Sequence, residues 1–289
     1  LQAHPATPDP LWSRGLGDVY KRQNLPTTKA VDLTLNDEWL TILFNQPEKR
    51  NALTEELTSD IKNVLGSIKE DMSIRGVSMR GEGGVFCAGG DLKSFKSGFQ
   101  GGEQALEDVY NASAMTGDFF DMINSFPKPV IMLAEGAAMA GGLGLLCTGD
   151  IVVVTKDCKF ALTETTLGIP PAQIAPFVAD RIGLSKARRI MLTAARFSGK
   201  EAYEMGLADF LADDANDLSN IENEIKKGVL KCAPNANAVT KEIVLATRYL
   251  SRKEMIKFAA KGFSEQMLSE EGMEGIASFI EKRKPKWSK

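Results

Sequence analysis

The chain has 289 residues, 35 Lys and Arg against 38 Asp and Glu, a formal charge of −3, one His and four Cys. That balance excludes the basic stripe of a nucleic-acid binder, and no apolar run approaches the roughly 20 residues needed to span a bilayer. The only histidine, His4, lies in a Pro-rich segment, so a Ser-His-Asp or Cys-His site or a histidine metal site is excluded and proton transfer falls to Asp, Glu, Lys, Tyr or Cys.

Residues 1–28 differ from the rest. His4-Pro5-Ala6-Thr7-Pro8-Asp9-Pro10 opposes regular structure, and the segment is expected to be a disordered or non-native extension. Val31–Leu35 alternates, Asn36-Asp37 turns, and Trp39–Phe44 continues as a second strand. Asn45–Asn51 reads as a loop. Thr54 then caps a helix with Leu57, Ile61, Val64, Leu65 and Ile68 on one face. Gly76–Gly81 is a short strand, and a helix is expected from Glu103 to Phe126, ended by Pro127-Lys128-Pro129. Strands follow at Val130–Ala134, Ile151–Val154 and Lys159–Leu162. Helices dominate from Pro170 onward, at about Ala172–Ile182, Ser185–Thr193, Lys200–Met205, Ile221–Val229, Asn235–Leu250 and Arg252–Ser269. The expected class is α/β, with strands alternating with helices and a helical C-terminal third.

Two glycine-rich turns carry most of the functional information. Phe86-Cys87-Ala88-Gly89-Gly90-Asp91-Leu92 and Ala137-Ala138-Met139-Ala140-Gly141-Gly142-Leu143-Gly144 each follow a strand-like run and lead toward a helix. Such turns leave backbone N–H groups unpaired and let a ligand approach closely. Two of them, followed by Glu164 in an apolar setting, point to an oxyanion hole with a proton carrier. Ala88 and Gly141 sit where such donors could arise, each worth about 3 kcal/mol of transition-state stabilisation; the alternative is that the glycines only permit tight strand–helix packing. Asp91 is read as the cap of a helix starting near Leu92. The cysteines Cys87, Cys147, Cys158 and Cys232 have no CxxC spacing, so no metal site is expected, and a reducing, cytoplasmic setting fits them. Cys87 is read as a small residue lining its tight loop rather than as a nucleophile.

From about Lys29 to Lys286 the chain resembles the crotonase, or enoyl-CoA hydratase/isomerase, family. Asn45-Gln46-Pro47-Glu48-Lys49-Arg50-Asn51-Ala52-Leu53 looks like the family's CoA-contacting loop, and Phe86–Leu92 and Glu135–Ile151 look like its two oxyanion loops. Glu274–Arg283 matches its C-terminal pattern. The resemblance implies a spiral of ββα repeats over residues 29–200 and a helical trimerisation region over 201–289. It implies an acyl-CoA substrate, no further cofactor, no nucleic-acid or membrane partner, and a homotrimer or dimer of trimers. It places the Ala88 and Gly141 N–H groups on the thioester oxygen. Arg50, Ala52, Gly90, Asp91, Leu92 and Lys93 fall near CoA or substrate, and Phe279 and Lys282 near the CoA of a neighbouring subunit. Gln173 is a candidate acyl-pocket residue.

Well-known hydratases of that family use two glutamates. Here Gly144 stands at the first place, expected to leave room for substrate or water, and Glu164 matches the second. A lone glutamate fits two reactions. One is hydration of a branched or glutaconyl-type enoyl-CoA, favoured by the likeness of Gly168–Val178 to methylglutaconyl- and isohexenylglutaconyl-CoA hydratases. The other is Δ3,Δ2-enoyl-CoA isomerisation. A non-enzymatic RNA-binding or scaffold role is the third alternative.

Overall fold

The structure, a computed structural model, describes residues 25–91 and 103–288. The alternating run Val31–Asn36 (β1) pairs antiparallel with Trp39–Phe44 (β2), from Val31 opposite Phe44 to Asn36 opposite Trp39. Asp37, at φ 53°, makes the turn between them. Glu55–Ile68 (α1) is capped by Thr54, whose side chain accepts the Leu57 N–H, and its buried face holds the five expected apolar residues together with Asp60. Asp60 accepts the backbone N–H groups of Lys29 and Ala30, each at 2.7 Å, and so ties α1 to the start of β1.

Gly76–Gly81 (β3), Glu103–Asn124 (α2), Val130–Ala134 (β4), Ala137–Met139 (β5), Gly141–Cys147 (α3), Ile151–Thr155 (β6) and Lys159–Ala161 (β7) follow. The remaining elements are Ala175–Leu192 (α4), Arg196–Ser198 (β8), Gly199–Met205 (α5), Phe210–Ala212 (β9), Ala215–Leu230 (α6), Pro234–Ala246 (α7), Arg252–Met267 (α8) and Glu270–Ile280 (α9). Two sheets result, one ordered β1-β2-β3-β4-β6-β9 and parallel from β2 onward, the other ordered β5-β7-β8. The ββα unit is visible twice. β4, β5 and α3 form one, and β6, β7 and the helical segment after them form the next, with the first strand of each in the large sheet and the second in the small one.

β3, β4 and β6 are buried on both faces, which is why β4 and β6 read as nearly continuous apolar runs; β3 carries Ser78 and Arg80 as well. One face carries the main core, with Phe44, Phe86, Phe120 and Phe160 fully buried. The other packs Trp39, Ile131, Leu133 and Val153 beneath α6 through Leu218, and the Trp39 indole donates to Ser78 Oγ at 2.8 Å.

Several expected boundaries move. The large sheet continues past residue 200, because β9 pairs parallel with β6 and α6 covers that face. The ordered chain starts before residue 29, since Leu25 packs against the core; the rest of the expected extension, 1–24, lies outside the described residues. β5 lies where only a turn was expected. The helices expected on either side of residue 184 are joined in α4 but broken at Gly183, whose φ of 77° and ψ of 157° no helix contains.

The C-terminal helices attach at the N-terminal edge of the large sheet. Lys241 of α7 pairs with Asp150 at 2.8 Å, one residue before β6. The Arg75 guanidinium, one residue before β3, donates to the carbonyls of Cys232 and Trp287. Phe279 is 85% exposed, near the end of α9, and Lys282 follows at φ 53°. Among the described residues, no helix is long and apolar enough to cross a membrane.

Candidate active site

Three chain segments run parallel and end on one edge of the small sheet. Cys87 bridges Ala138 in parallel, and β5 pairs in parallel with β7 from Ala137 opposite Lys159 to Met139 opposite Ala161. The Met139 N–H donates to the Cys87 carbonyl at 3.0 Å, and the Ala140 N–H to that of Ala161 at 2.8 Å. Parallel segments release their C-terminal ends on the same side, the side where open sheets place their ligands. The chain therefore delivers Gly89-Gly90, Ala140-Gly141 and the segment leading to Glu164 to the same side of the sheet.

The two glycine turns are pressed together. A Cβ on Gly142 would lie 2.4 Å from the Cys87 carbonyl oxygen, so no larger residue fits there. Ala140, the residue before α3, is held at φ 49° and ψ −122°, a conformation that costs about 1–3 kcal/mol and is found where function demands it. It turns the chain so that Gly141 is the first residue of α3, where no intrahelical acceptor exists for its N–H.

The backbone donors differ from the expected pair. The Ala88 N–H donates to the Arg50 carbonyl at 3.0 Å, so it is engaged within the fold and is not free for a ligand. The Gly90 N–H and the Gly141 N–H have no acceptor among the described residues. They are neighbours: a Cβ on Gly141 would sit 3.4 Å from the Gly90 nitrogen and 3.1 Å from Leu53 Cδ1. Any side chain at 141 would therefore cover the Gly90 amide. The free pair is Gly90 with Gly141, both half-buried, and a single oxygen held between them would receive two fixed hydrogen bonds.

The loop before α1 braces the first turn. Asn51, fully buried, accepts the Gln46 N–H at 3.0 Å and donates to the carbonyls of Glu82 at 2.9 Å and Val85 at 2.7 Å. Arg50 next to it is exposed and holds Ala88 through its carbonyl, while Ala52 is half-buried. Asn51→Ala leaves one buried and two part-buried backbone groups without their partner, so the variant is expected to lose about 1–3 kcal/mol of stability, measurable by urea denaturation.

Glu164 opens a short 3-10 helix, Glu164–Leu167, ended by Gly168 at φ 76°. Its Oε2 is buried without a hydrogen-bond partner. Burial pushes its carboxyl above the ordinary carboxylate range, opposed by a hydrogen bond from its own backbone N–H. A half-buried carboxyl whose proton is held more tightly than that of an exposed glutamate can serve as a proton carrier.

Gly144 does not leave room. A Cβ there would lie 2.0 Å from Ile174 Cγ2 and 2.5 Å from Ile174 Cβ. Ile174, only 4% exposed, occupies the space into which a side chain at 144 would project. The preceding residue, Gln173, donates through its amide to Ser113 Oγ at 3.1 Å and lies against Gly117, where a Cβ would come within 2.5 Å of its Oε1. Gln173 is thus engaged with α2. Spacing gave no sign of the Ile174 contact. A glycine at helix position 144 was the only hint of a close approach.

Cys87 is fully buried, its thiol pushed up to about 12 by burial, and its Sγ accepts the Gly89 N–H at 3.4 Å, which fits a lining residue and not a nucleophile. Asp91 is the last described residue of its segment. Leu92 and Lys93 lie outside the described residues, as does the start of the helix that Asp91 was expected to cap. Phe279 and Lys282 belong to a segment anchored at the opposite edge of the large sheet. Two surface clefts flank β8; both are lined by Arg196, Phe197 and Glu201 and neither includes Gly90, Gly141 or Glu164.

Residues 35–289 match the family model described as Enoyl-CoA hydratase/isomerase. Among solved structures, Pseudomonas aeruginosa AtuE is 39% identical, with 90% of this chain and 100% of that chain covered and a TM-score of 0.85. An enoyl-CoA hydratase/isomerase from Marinobacter aquaeolei is 36% identical, with 90% and 99% covered and the same TM-score of 0.85. Carnitinyl-CoA dehydratase from Proteus mirabilis (strain HI4320) is 30% identical over 268 residues, spanning 90% of this chain and 98% of that protein.

Proposed function

The chain belongs to the enoyl-CoA hydratase/isomerase family, and from that membership we propose that it adds water across the 2,3 double bond of a branched or glutaconyl-type enoyl-CoA. The observation that carries the reading is the pair of neighbouring unpaired backbone amides, Gly90 and Gly141, with the half-buried carboxyl of Glu164 three residues beyond the parallel partner strand.

In this reaction the thioester oxygen lies between the Gly90 and Gly141 N–H groups. Ionised Glu164 orients the water and takes its proton as the oxygen attacks C3. The electron pair of the double bond moves onto the thioester oxygen as an enolate, which the two amides stabilise. Glu164 then returns the proton to C2. Atoms balance: OH is added at C3 and H at C2. With Ile174 on Gly144, the protein offers no carboxylate at that position, so a carboxylate on the acyl chain is the proposed second polar group. The likeness of Gly168–Val178 to methylglutaconyl- and isohexenylglutaconyl-CoA hydratases supports such a chain.

Arg50, Ala52, Asp91, Leu92 and Lys93 are proposed to lie along the CoA moiety. Phe279 and Lys282 would serve the CoA of a neighbouring copy in a trimer or dimer of trimers. The large apolar side chains left exposed on α8 and α9, including Ile256, Phe263, Phe279 and Ile280, support such an assembly. Light scattering of the purified protein tests it, and a monomer at micromolar concentration would refute it.

An activity panel of crotonyl-CoA, 3-hexenoyl-CoA and 3-methylglutaconyl-CoA tests the reaction. The expected result is a 3-hydroxyacyl product, formed fastest from 3-methylglutaconyl-CoA. Migration of the double bond in 3-hexenoyl-CoA with no water added would replace hydration by isomerisation, the second reading that a lone carboxyl favours.

A further inference from the structure

Gln173 and Ile174 are consecutive, and each seats in the notch of a glycine on a different helix. Gln173 lies against Gly117 of α2 and is tied there to Ser113, while Ile174 lies against Gly144 of α3. The segment is wedged between two helices and cannot slide without losing both contacts. Gly144 is three residues beyond Gly141 on the same short helix, so both lie on one face of it. The residue on that face one turn from a free amide is therefore covered by the sec-butyl group of Ile174.

We propose that Ile174 is a specificity-determining residue: seated on Gly144, it closes the site against a second water or proton-carrying group, so that Glu164 works alone and the acyl chain supplies any further polar group. The inference rests on the reading of Glu164 as the proton carrier. The closed wall also fits the surroundings of Glu164. Burial is the main influence on its carboxyl, and among the described residues no charged side chain contributes. A space opened at Ile174 would adjoin Gly144, one turn from the free Gly141 amide, which gives entering water a hydrogen-bond partner.

The test compares wild type, Ile174→Val, Ile174→Ala and the double variant Gly144→Ala/Ile174→Ala, with crotonyl-CoA and 3-methylglutaconyl-CoA as probes. In the double variant the new methyl group takes nearly the place of the lost Cγ2, since the two positions are 2.0 Å apart. Ile174→Ala is expected to lower kcat for 3-methylglutaconyl-CoA about tenfold while KM stays within about threefold. The acidic limb of its kcat/KM profile should move down toward the ordinary carboxylate range as water reaches Glu164. Ile174→Val should stay within about threefold of wild type, and the refilled double variant should recover most of the lost kcat and the original limb. A folded Ile174→Ala protein with wild-type kcat and an unmoved limb would overturn the proposal. So would a double variant that regains thermal stability but neither kcat nor the limb. If Ile174→Ala does not fold, Ile174→Val and the double variant decide, and a limb in the double variant as low as that of an exposed carboxylate overturns it. Glu164→Gln separates the two readings. Retained turnover in that variant refutes the role of Glu164, whereas its loss, together with an indifferent Ile174→Ala, refutes only the role of Ile174.

Discussion

Glu164→Gln is expected to lower kcat by about 10³-fold or more while leaving acyl-CoA binding nearly intact. Gln keeps the shape of the side chain and its hydrogen-bonding ends, but it can neither take the proton from water nor return one to C2. Both proton steps fall on the same group, so the loss should reach the upper part of the range for acid–base residues. The same substitution is expected to raise stability at neutral pH. Burial holds the Glu164 carboxyl above its ordinary value of 4.5 in the folded state. Between that value and the raised one, the folded chain keeps a proton that the unfolded chain has lost. Stability therefore falls as pH rises through this window, and above it the buried charge is a constant cost. Gln carries no such charge, so the Tm of the variant should exceed that of wild type at pH 7, and the gap should shrink as pH falls through this window and level off below the ordinary value of 4.5. Thermal melts at several pH values, alongside kcat, check both halves. In wild type, kcat/KM should fall on the acid side with a midpoint above that of an exposed glutamate.

Gly141→Pro should lower kcat by about 10³-fold or more, because it deletes one donor aimed at the developing enolate and its ring carbons cover the other, the Gly90 amide. Position 141 is the first residue of α3, where proline's missing N–H breaks no intrahelical bond and its fixed φ suits the helix. Ala140 before it, at φ 49° and ψ −122°, lies outside the extended region that a residue before proline requires, so a lowered Tm is expected beside the loss of kcat, and circular dichroism of the variant separates the two effects. An acyl-CoA complex supplies the companion measurement. The thioester oxygen is expected about 2.7–3.1 Å from the nitrogens of both Gly90 and Gly141. An oxygen bound instead to the Ala88 nitrogen, with the Ala88–Arg50 bond broken, would overturn the assignment of Gly90.

Much of this arrangement was legible before any coordinates. The face of α1 follows from its apolar spacing, and the doubly buried β4 and β6 from their apolar runs. Glycines at 89, 90, 141 and 142 announced close approach of backbones, and the flanks of Glu164 announced a carboxyl in apolar company. The single histidine excluded whole mechanisms by itself. The short strands β5, β8 and β9, of three residues each, were not legible, because so few residues carry no periodicity.

The sequence by itself determined the order of the main elements, the two glycine turns and the one acid between apolar neighbours. Those are local properties of composition and spacing. Tertiary structure alone decided which amides are free and what fills the space beside Gly144. The Ala88 N–H looked as available as that of Gly90 until the loop carrying Arg50 folded onto it and took its hydrogen bond. Gly144 looked like an opening until Ile174, from a different segment, occupied its volume. A hydrogen bond satisfied from afar and a volume filled from afar both depend on parts of the chain that meet only in the folded protein.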